Sequence, residues 1–233
     1  MEWDSPLVEA VLLKRYKRFL ADIKLDDEFL TVHVPNTGGM TSCWEPNWKC
    51  LVSRSNNPTR KMPYTLELTW NGETWIGVNT ANANKVVKEA ITHQEIPELV
   101  GYKILQPEKK IGESRVDFFL DDHPTYPATY VEVKSVTLKL DGVAQFPDAV
   151  SERGQKHLKE LMELKKSGHR AVMLFLVQRE DVDSFRPAKS YDPKYAALLE
   201  EAVDSGVEIL IYQCRINSKG IKIHKKLPYI PEV

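Results

Sequence analysis

Two carboxylates and a lysine lie on neighbouring β-prone segments, where their types and spacing could support chemistry. Asp117 lies in the segment RVDFFL, and Glu132 and Lys134 lie in the segment YVEVKS. An antiparallel hairpin that opposes Asp117 to Glu132 also opposes Arg115 to Lys134, and it leaves apolar side chains on the other face. A slip of one residue would bury the charges and expose the valines, so the pattern favours this register.

Such a trio of residues suits a hydrolytic metal site. Carboxylate oxygens select Mg²⁺ or Mn²⁺, so Asp117 and Glu132, with the backbone carbonyl of Val133, are predicted ligands of one such ion. The ammonium group of Lys134 could hold or deprotonate an attacking water, or neutralise charge on a phosphoryl group. The same residues could instead form a solvated ladder of salt bridges, because exposed ion pairs are common and weak.

Two polar residues on predicted helices could complete a catalytic group. Gln155 begins an i, i+3, i+7 stripe with Leu158 and Met162 that should face the sheet, where its amide needs a polar partner. Glu89, on the helix before the strands, could supply a third carboxylate. A partly exposed glutamine and an ordinary surface glutamate are the alternative interpretations. The candidate catalytic residues are therefore Asp117, Glu132, Lys134, Gln155 and Glu89.

The pattern of apolar residues changes near residue 82 and predicts two domains. Before this point, short β-prone runs are separated by turn residues such as the Asn71-Gly72 pair, which is typical of a hairpin. These runs predict an OB-like β-barrel, a nucleic-acid-binding domain, over residues 1–81. Its predicted strands are Leu7–Leu20, Phe29–Val34, Lys49–Ser53, Tyr64–Thr69 and Thr74–Val78.

Residues 82–233 alternate helical and β-prone patterns in the order α-β-β-β-α-β-α-β, which predicts an α/β domain around a mixed central sheet. The helix Asp148–Ser167 is expected to begin at an Asp N-cap and to end before Gly168. Arg170–Gln178 is an apolar run, as expected of a strand covered on both faces. The other predicted elements are helices Asn82–Ile96 and Pro193–Ser205 and strands Tyr102–Pro107, Arg115–Leu120, Thr129–Leu138 and Val207–Ile216.

Two basic segments are candidate nucleic-acid contacts. The first, predicted to lie on one barrel strand, could offer cations to phosphates and aromatic rings to bases. It comprises Lys14, Arg15, Tyr16, Lys17 and Arg18, followed by Phe19. The second is the helix region 153–170, with six Lys or Arg against two Glu, where Arg153 and Lys156 could follow a phosphate backbone. A charge-protected edge strand and a solvated helix face are the competing interpretations.

The composition is that of a globular protein without an overall basic surface. Of 233 residues 42% are hydrophobic, and 32 Lys and Arg against 33 Asp and Glu give a net charge of -1. This balance excludes a globally basic nucleic-acid coat and intrinsic disorder. Cys43, Cys50 and Cys214 form no metal or disulfide motif and predict free thiols in a reducing compartment. The polar start and the lack of a long apolar run predict a cytoplasmic protein that does not interact with a membrane.

Several of these motifs match known families. Gly112-x4-Asp117, Glu132-x-Lys134 and Gln155 on a helix resemble the PD-(D/E)xK nuclease superfamily. Lys159 departs from the RecB-like pattern, which has a tyrosine four residues after the glutamine. Along nearly its whole length, the chain resembles the sugar fermentation stimulation protein A (SfsA) family. The segments that match are Arg15–Asp22, His33–Gly38, Gly101–Tyr102, Arg115–Phe118, Tyr130–Thr137, Phe146–Ala149 and Glu152–Leu158.

The resemblance implies an N-terminal OB-like domain, a restriction-endonuclease-like C-terminal domain, DNA binding and a link to sugar-metabolism genes. The first hypothesis is a Mg²⁺-dependent phosphodiesterase that acts on DNA. The alternative is a non-catalytic DNA-binding regulator of sugar (maltose-type) metabolism genes. The carboxylates Asp117 and Glu132 favour the enzyme, because a pure binder does not need them to face a polyanion. A small ligand of the barrel is a third hypothesis. The sequence leaves open RNA as a partner and the oligomeric state, a homodimer included.

Overall fold

The N-terminal strands close into a barrel in the computed structural model, which describes residues 1–112 and 114–231. The strands are β1 (Val8–Tyr16), β2 (Leu20–Leu25), β3 (Glu28–His33), β4 (Trp48–Arg54), β5 (Tyr64–Trp70) and β6 (Trp75–Gly77). They are paired in the order β3-β2-β1-β4-β5-β6, and a parallel bridge between His33 and Thr65 joins β3 to β5. The first five strands thus form a closed barrel, and the predicted OB-like fold is confirmed.

The segment predicted as one strand, Leu7–Leu20, is two strands joined by a tight turn. β1 ends at Tyr16, and Lys17 and Arg18 adopt the left-handed backbone conformation, with φ of 50° and 62°. The backbone amide of Phe19 donates to the carbonyl of Lys17 at 2.7 Å. The prediction that Lys17 and Arg18 lie on a strand is therefore wrong. They form the turn after which β2 pairs antiparallel with β1.

The C-terminal part is a mixed sheet with helices on both faces. Its helices are α1 (Asn82–Thr92), α2 (Glu152–Lys166) and α3 (Pro193–Asp204). Its strands are β7 (Ile104–Ile111), β8 (Ser114–Asp121), β9 (Thr129–Val136), β10 (Leu138–Leu140), β11 (Val143–Phe146), β12 (Arg170–Val177), β13 (Phe185–Pro187), β14 (Glu208–Asn217) and β15 (Gly220–Lys226). The main sheet has the order β15-β14-β12-β9-β8-β7, in which β12 is parallel to both of its neighbours. The predicted α/β domain with a mixed sheet is confirmed.

Strand β12 lies at the centre of this domain and is buried along its length. Val172 and Leu174 pack in the core beneath α1, whereas Met173 and Phe175 pack in the core beneath α2 and α3. Its apolar run therefore buries side chains on both faces, as predicted.

The N-cap of helix α2 lies three residues later than predicted. Ser151 is its N-cap, with a side chain that accepts a hydrogen bond from the amide of Gly154 at 3.1 Å. The carboxylate of Asp148 instead accepts a hydrogen bond from the backbone amide of Met40 in the barrel at 2.9 Å. The prediction of Asp148 as the cap is wrong, because this side chain joins the two parts of the chain.

A buried ion pair also joins the barrel to the α/β domain. Arg179 donates to both carboxylate oxygens of Asp181 at 2.7 and 2.8 Å, and both side chains are almost fully buried. The same guanidinium donates to the carbonyl of Ser42 in the barrel and to that of Thr137 in the α/β domain. The pair thus fixes one domain against the other.

The three cysteines are free, as predicted, and all three are buried. In residues 1–112 and 114–231, no helix is long and apolar enough to cross a membrane.

Candidate metal centre

The site lies where β8 and β9 separate. Their antiparallel pairs are Phe118–Val131, Phe119–Tyr130 and Leu120–Thr129, so the predicted register is confirmed over these pairs. Pairing was also expected at Asp117–Glu132 and Arg115–Lys134, but among the described residues the ladder ends at Phe118. Beyond it, the Asp117 side chain accepts a hydrogen bond from the Val133 amide at 2.7 Å. Beyond Phe118 the described residues of the two strands no longer share backbone pairs, so the side chain of Asp117 can reach the backbone of β9.

Asp117 is held from two sides. Its Oδ2 accepts from Val133, and its Oδ1 accepts from the side-chain amide of Asn84 on α1 at 2.6 Å. Burial raises the pKa of Asp117, and repulsion by the nearby Glu132 carboxylate raises it further, although both hydrogen bonds act in the opposite direction. The carboxylate is therefore fixed in direction, and its pKa stays above the ordinary value although the charge of Lys134 also lowers it.

Glu132 is the buried centre of a cluster of polar groups. Its Oε1 accepts a hydrogen bond from Lys134 Nζ at 2.7 Å and also contacts Nδ1 of His157 on α2. The side chains of Glu132, Lys134 and His157 are only 6%, 11% and 7% exposed. Burial alone would raise the pKa of Glu132, but the hydrogen bond to His157 and the charge of Lys134 bring it below its ordinary value. Such buried contacts are inconsistent with a solvated salt-bridge ladder.

Gln155 and Glu89, which were predicted to complete the catalytic group, bind other residues. Gln155 is buried, but its amide donates to both carboxylate oxygens of Asp192, the N-cap residue of α3, at 3.0 Å. Glu89 accepts a hydrogen bond from the amino group of Met1 at 2.6 Å. The structure therefore brings Asp117, Glu132 and Lys134 together and places Gln155 and Glu89 in separate contacts.

Asn84 and His157 are site residues that the sequence analysis missed. His157 belongs to the buried face of α2 with Gly154, Leu158 and Leu161. A titratable residue within that i, i+3, i+4 pattern was a signal that a polar partner lies beneath it. For Asn84 the sequence held no comparable signal, because only the packing of α1 on the sheet places it beside Asp117.

The donor set fits a hard divalent cation. Asp117 accepts a hydrogen bond from the amide of Val133, the residue after Glu132. Burial and then repulsion by the Glu132 carboxylate raise the pKa of Asp117, and a cation between the two carboxylates would relieve this repulsion. No group of three or more His, Cys, Asp or Glu side chains suited to a metal occurs in the described part of the chain. An ion held here would thus complete its coordination with backbone oxygens, waters or substrate, as is usual for Mg²⁺.

The residues predicted to contact nucleic acid differ in whether their side chains are already bound within the protein. Arg15 donates to the carbonyls of Arg18, Asn36, Gly38 and Gly39 at 2.9 to 3.1 Å, so its guanidinium holds the barrel loop. The hydroxyl of Tyr16 donates to Asp22 at 2.9 Å. Exposed side chains remain at Lys14, Lys17, Arg18, Arg153 and Lys156.

A polar cleft of about 300 Å³ separates the barrel from the α/β domain. The barrel contributes Arg18 and the Asn36–Gly38 loop, and the α/β domain contributes Ser135 of β9 and the segment Phe146–Ser151. Ser135 follows Lys134 directly, so the cleft lies one residue along β9 from the site. Arg18 is the one predicted nucleic-acid contact that lines it.

Two family models match the chain. The model described as SfsA N-terminal OB domain matches residues 13–78, and the model described as sugar fermentation stimulation protein RE domain matches residues 81–220. The chain belongs to the sugar fermentation stimulation protein (SfsA) family. The resemblance inferred from the sequence motifs is therefore confirmed.

Individual relatives match over the full length. The sugar fermentation stimulation protein homolog of Pseudoalteromonas atlantica is 48% identical over 235 residues, which cover 99% of this chain and 100% of that protein. The homolog of Rhodospirillum centenum is 49% identical over 230 residues, covering 97% and 98%. Among solved structures, that of Pyrococcus furiosus SfsA in complex with Ca²⁺ superposes with a TM-score of 0.90 at 30% identity, covering 99% of this chain and 98% of that chain.

Proposed function

We propose that this protein is a divalent-metal-dependent phosphodiesterase that acts on nucleic acid, with DNA as the expected substrate. The observation that carries the proposal is the half-buried Asp117 beside the buried Glu132, with the Lys134 ammonium 2.7 Å from Glu132. A protein that only binds a polyanion has no need to hold two carboxylates near it. The Ca²⁺ complex of Pyrococcus furiosus SfsA supports the metal.

Asp117, Glu132 and the backbone carbonyl of Val133 would hold the ion, for which Mg²⁺ or Mn²⁺ is proposed. When bound, such an ion stabilises charge that develops on phosphoryl oxygens. Asn84 and the Val133 amide keep the Asp117 carboxylate in place. Lys134 would orient the attacking water or stabilise the negative charge of the phosphate in the transition state.

The test of this function is a titration of the purified protein with Mg²⁺ and Mn²⁺ in the presence of labelled oligonucleotides. Single-stranded, duplex and branched DNA and RNA should be included, because the site geometry does not select among them. Cleavage of any of them that requires the ion and is lost in Asp117→Asn supports the enzyme. Binding without cleavage under every ion would favour the DNA-binding regulator instead.

Loss of the Asp117 charge should weaken Mn²⁺ binding. In Asp117→Asn, the affinity measured by calorimetry is expected to fall at least tenfold, about 1.4 kcal/mol, because one of two carboxylates is replaced by a neutral amide. The matched control is Asp121→Asn, which removes a carboxylate from the same strand four residues away and should leave the affinity unchanged. Equal Mn²⁺ affinity in wild type and Asp117→Asn would exclude this metal site.

Nucleic-acid binding is expected to use the β1–β2 turn. In Lys17→Glu/Arg18→Glu, binding should weaken, and its dependence on log salt concentration should flatten by roughly 0.7–0.9 for each phosphate that the variant no longer neutralises. Arg15 is unsuitable for this test because its guanidinium holds the barrel loop. Lys219→Glu/Lys222→Glu makes the same change of charge at the β14–β15 hairpin and serves as the control. An equal slope in wild type and the turn variant would show that this turn does not bind the phosphates.

A further inference from the structure

His157 connects the buried carboxylate of the site with the protein surface. Its Nδ1 contacts Glu132 Oε1 and lies 2.9 Å from Lys134 Nζ, which donates to the same oxygen. On the other side of the ring, Nε2 lies 3.4 Å from Nε of Arg153, one helical turn earlier on α2. The imidazole thus bridges a carboxylate and a guanidinium.

The contacts with Glu132 and Arg153 favour a proton on Nδ1. A carboxylate only accepts hydrogen bonds, so Nδ1 must carry a proton to donate to Glu132. The Nε–H of Arg153 only donates, so Nε2 must be unprotonated to accept from it. A neutral ring with its proton on Nδ1 satisfies the contacts with Glu132 and Arg153, and the other tautomer satisfies neither of these two. That tautomer would instead let Nδ1 accept from Lys134 Nζ, an ammonium that already donates to Glu132 Oε1.

Glu132 Oε1 is therefore occupied on two sides. It accepts from the ammonium of Lys134 and from the ring of His157, both of which are buried. Its second oxygen, Oε2, accepts no hydrogen bond from the residues that the structure describes. The carboxylate is thus held by one oxygen, and the other oxygen has no hydrogen-bond donor among those residues.

We propose that His157 is a positioning residue that fixes the Glu132 carboxylate for metal binding by donating from Nδ1 to Oε1. The inference rests on the proposed function, since it needs a metal at Glu132. Groups that orient a metal-binding side chain commonly change metal affinity by 10- to 100-fold when they are removed. The effect of His157 is expected in that range.

The test compares Mn²⁺ affinity, measured by calorimetry, in wild type, His157→Leu and His157→Asn. Leucine fills much of the volume without a donor, whereas the asparagine side-chain amide can replace the Nδ1–H group. We expect at least tenfold weaker binding in His157→Leu and recovery to within about threefold of wild type in His157→Asn. A merely structural role would lower the thermal midpoint of both variants without this difference in affinity.

The possible outcomes separate this inference from the proposed function. If wild type binds Mn²⁺ and Asp117→Asn does not, but His157→Leu binds as tightly as wild type, this inference is overturned and the metal site remains. Equal weakening in the Asn and Leu variants would also overturn it. A wild type that binds no Mn²⁺ would overturn both.

A second measurement needs no variant. Long-range ¹H–¹⁵N correlation spectra of ¹⁵N-labelled protein identify which nitrogen of each neutral histidine is protonated. Without metal, His157 should show a protonated Nδ1 and an unprotonated Nε2. A proton on Nε2 would overturn the inference even where the leucine variant fails to fold, because the ring could then not donate to Glu132.

Discussion

Replacement of Lys134 by methionine is expected to lower phosphodiester cleavage by roughly 10²-fold or more, the usual scale for losing one such group. The Lys134 ammonium lies 2.7 Å from Glu132 Oε1, so it sits beside a predicted metal ligand. At this position, the Lys134 ammonium can stabilise the transition state more than the bound substrate. Cleavage should therefore fall while DNA affinity stays close to that of wild type.

Mn²⁺ affinity provides the internal check on this variant. It should be retained or slightly increased in Lys134→Met, because a positive charge near the ion is removed. Lys110→Met, which removes an exposed lysine from β7, should cleave at the wild-type rate. Wild-type cleavage in Lys134→Met would exclude the proposed role of this lysine, and loss of Mn²⁺ binding would mean that the variant disrupts the site itself.

The central strands of the α/β domain could be predicted because their side chains obey simple periodicities. The alternation in β8 and the apolar run in β12 each identify the faces that are buried. In β8 and β9, only one register keeps the valines buried, and that register is the one found at Phe118–Val131. An alternation with a period of two residues therefore shows, from the local sequence alone, which face of a strand is buried.

The turn after Tyr16 could not be predicted from local sequence. Lys17 and Arg18 adopt a left-handed conformation that is usually taken by Gly or Asn, and the segment contains neither. Arg15 donates to the carbonyl of Arg18 and to the distant loop around Asn36, so contacts far apart in the chain stabilise this turn. A sequence without turn residues therefore looks like one continuous strand.

The site could be predicted only as far as its strands. Asp117, Glu132 and Lys134 follow from the alternation, whereas Asn84 and His157 depend on how α1 and α2 pack against the sheet. The spacing of Gln155 predicted a buried polar partner but did not identify it. The amide of Gln155 donates to Asp192, the N-cap residue of α3, and not to a residue of the metal site. Residue spacing shows which face of a helix is buried, but it does not show which side chains that face contacts.

The interface between the two domains depends strongly on one carboxylate. Asp181 accepts from Arg179, from Lys139 at 2.8 Å and from Asn71 of the barrel at 3.0 Å. Burial alone would raise its pKa, but the hydrogen bonds from Arg179 and Lys139 outweigh it and hold the pKa far below the usual range. Because the folded-state pKa is below the unfolded one, the pair stabilises the fold above about pH 4 and loses this effect as the pH falls.

Asp181→Asn is expected to lower the free energy of unfolding by roughly 3–5 kcal/mol at pH 7, because it leaves the Arg179 guanidinium buried without a counter-charge. Urea unfolding would measure this loss, with tryptophan fluorescence reporting the barrel and far-ultraviolet circular dichroism reporting the helices. Asp141→Asn, which removes an 88% exposed partner of Arg186, is the control and should change stability by under about 0.5 kcal/mol. The difference between wild type and Asp181→Asn should shrink as the pH is lowered from 7 towards 3, since the Asp181 carboxylate of the unfolded wild-type chain then takes up a proton, which favours unfolding. An unchanged unfolding midpoint at pH 7, or a difference that does not depend on pH, would show that this ion pair does not hold the domains together.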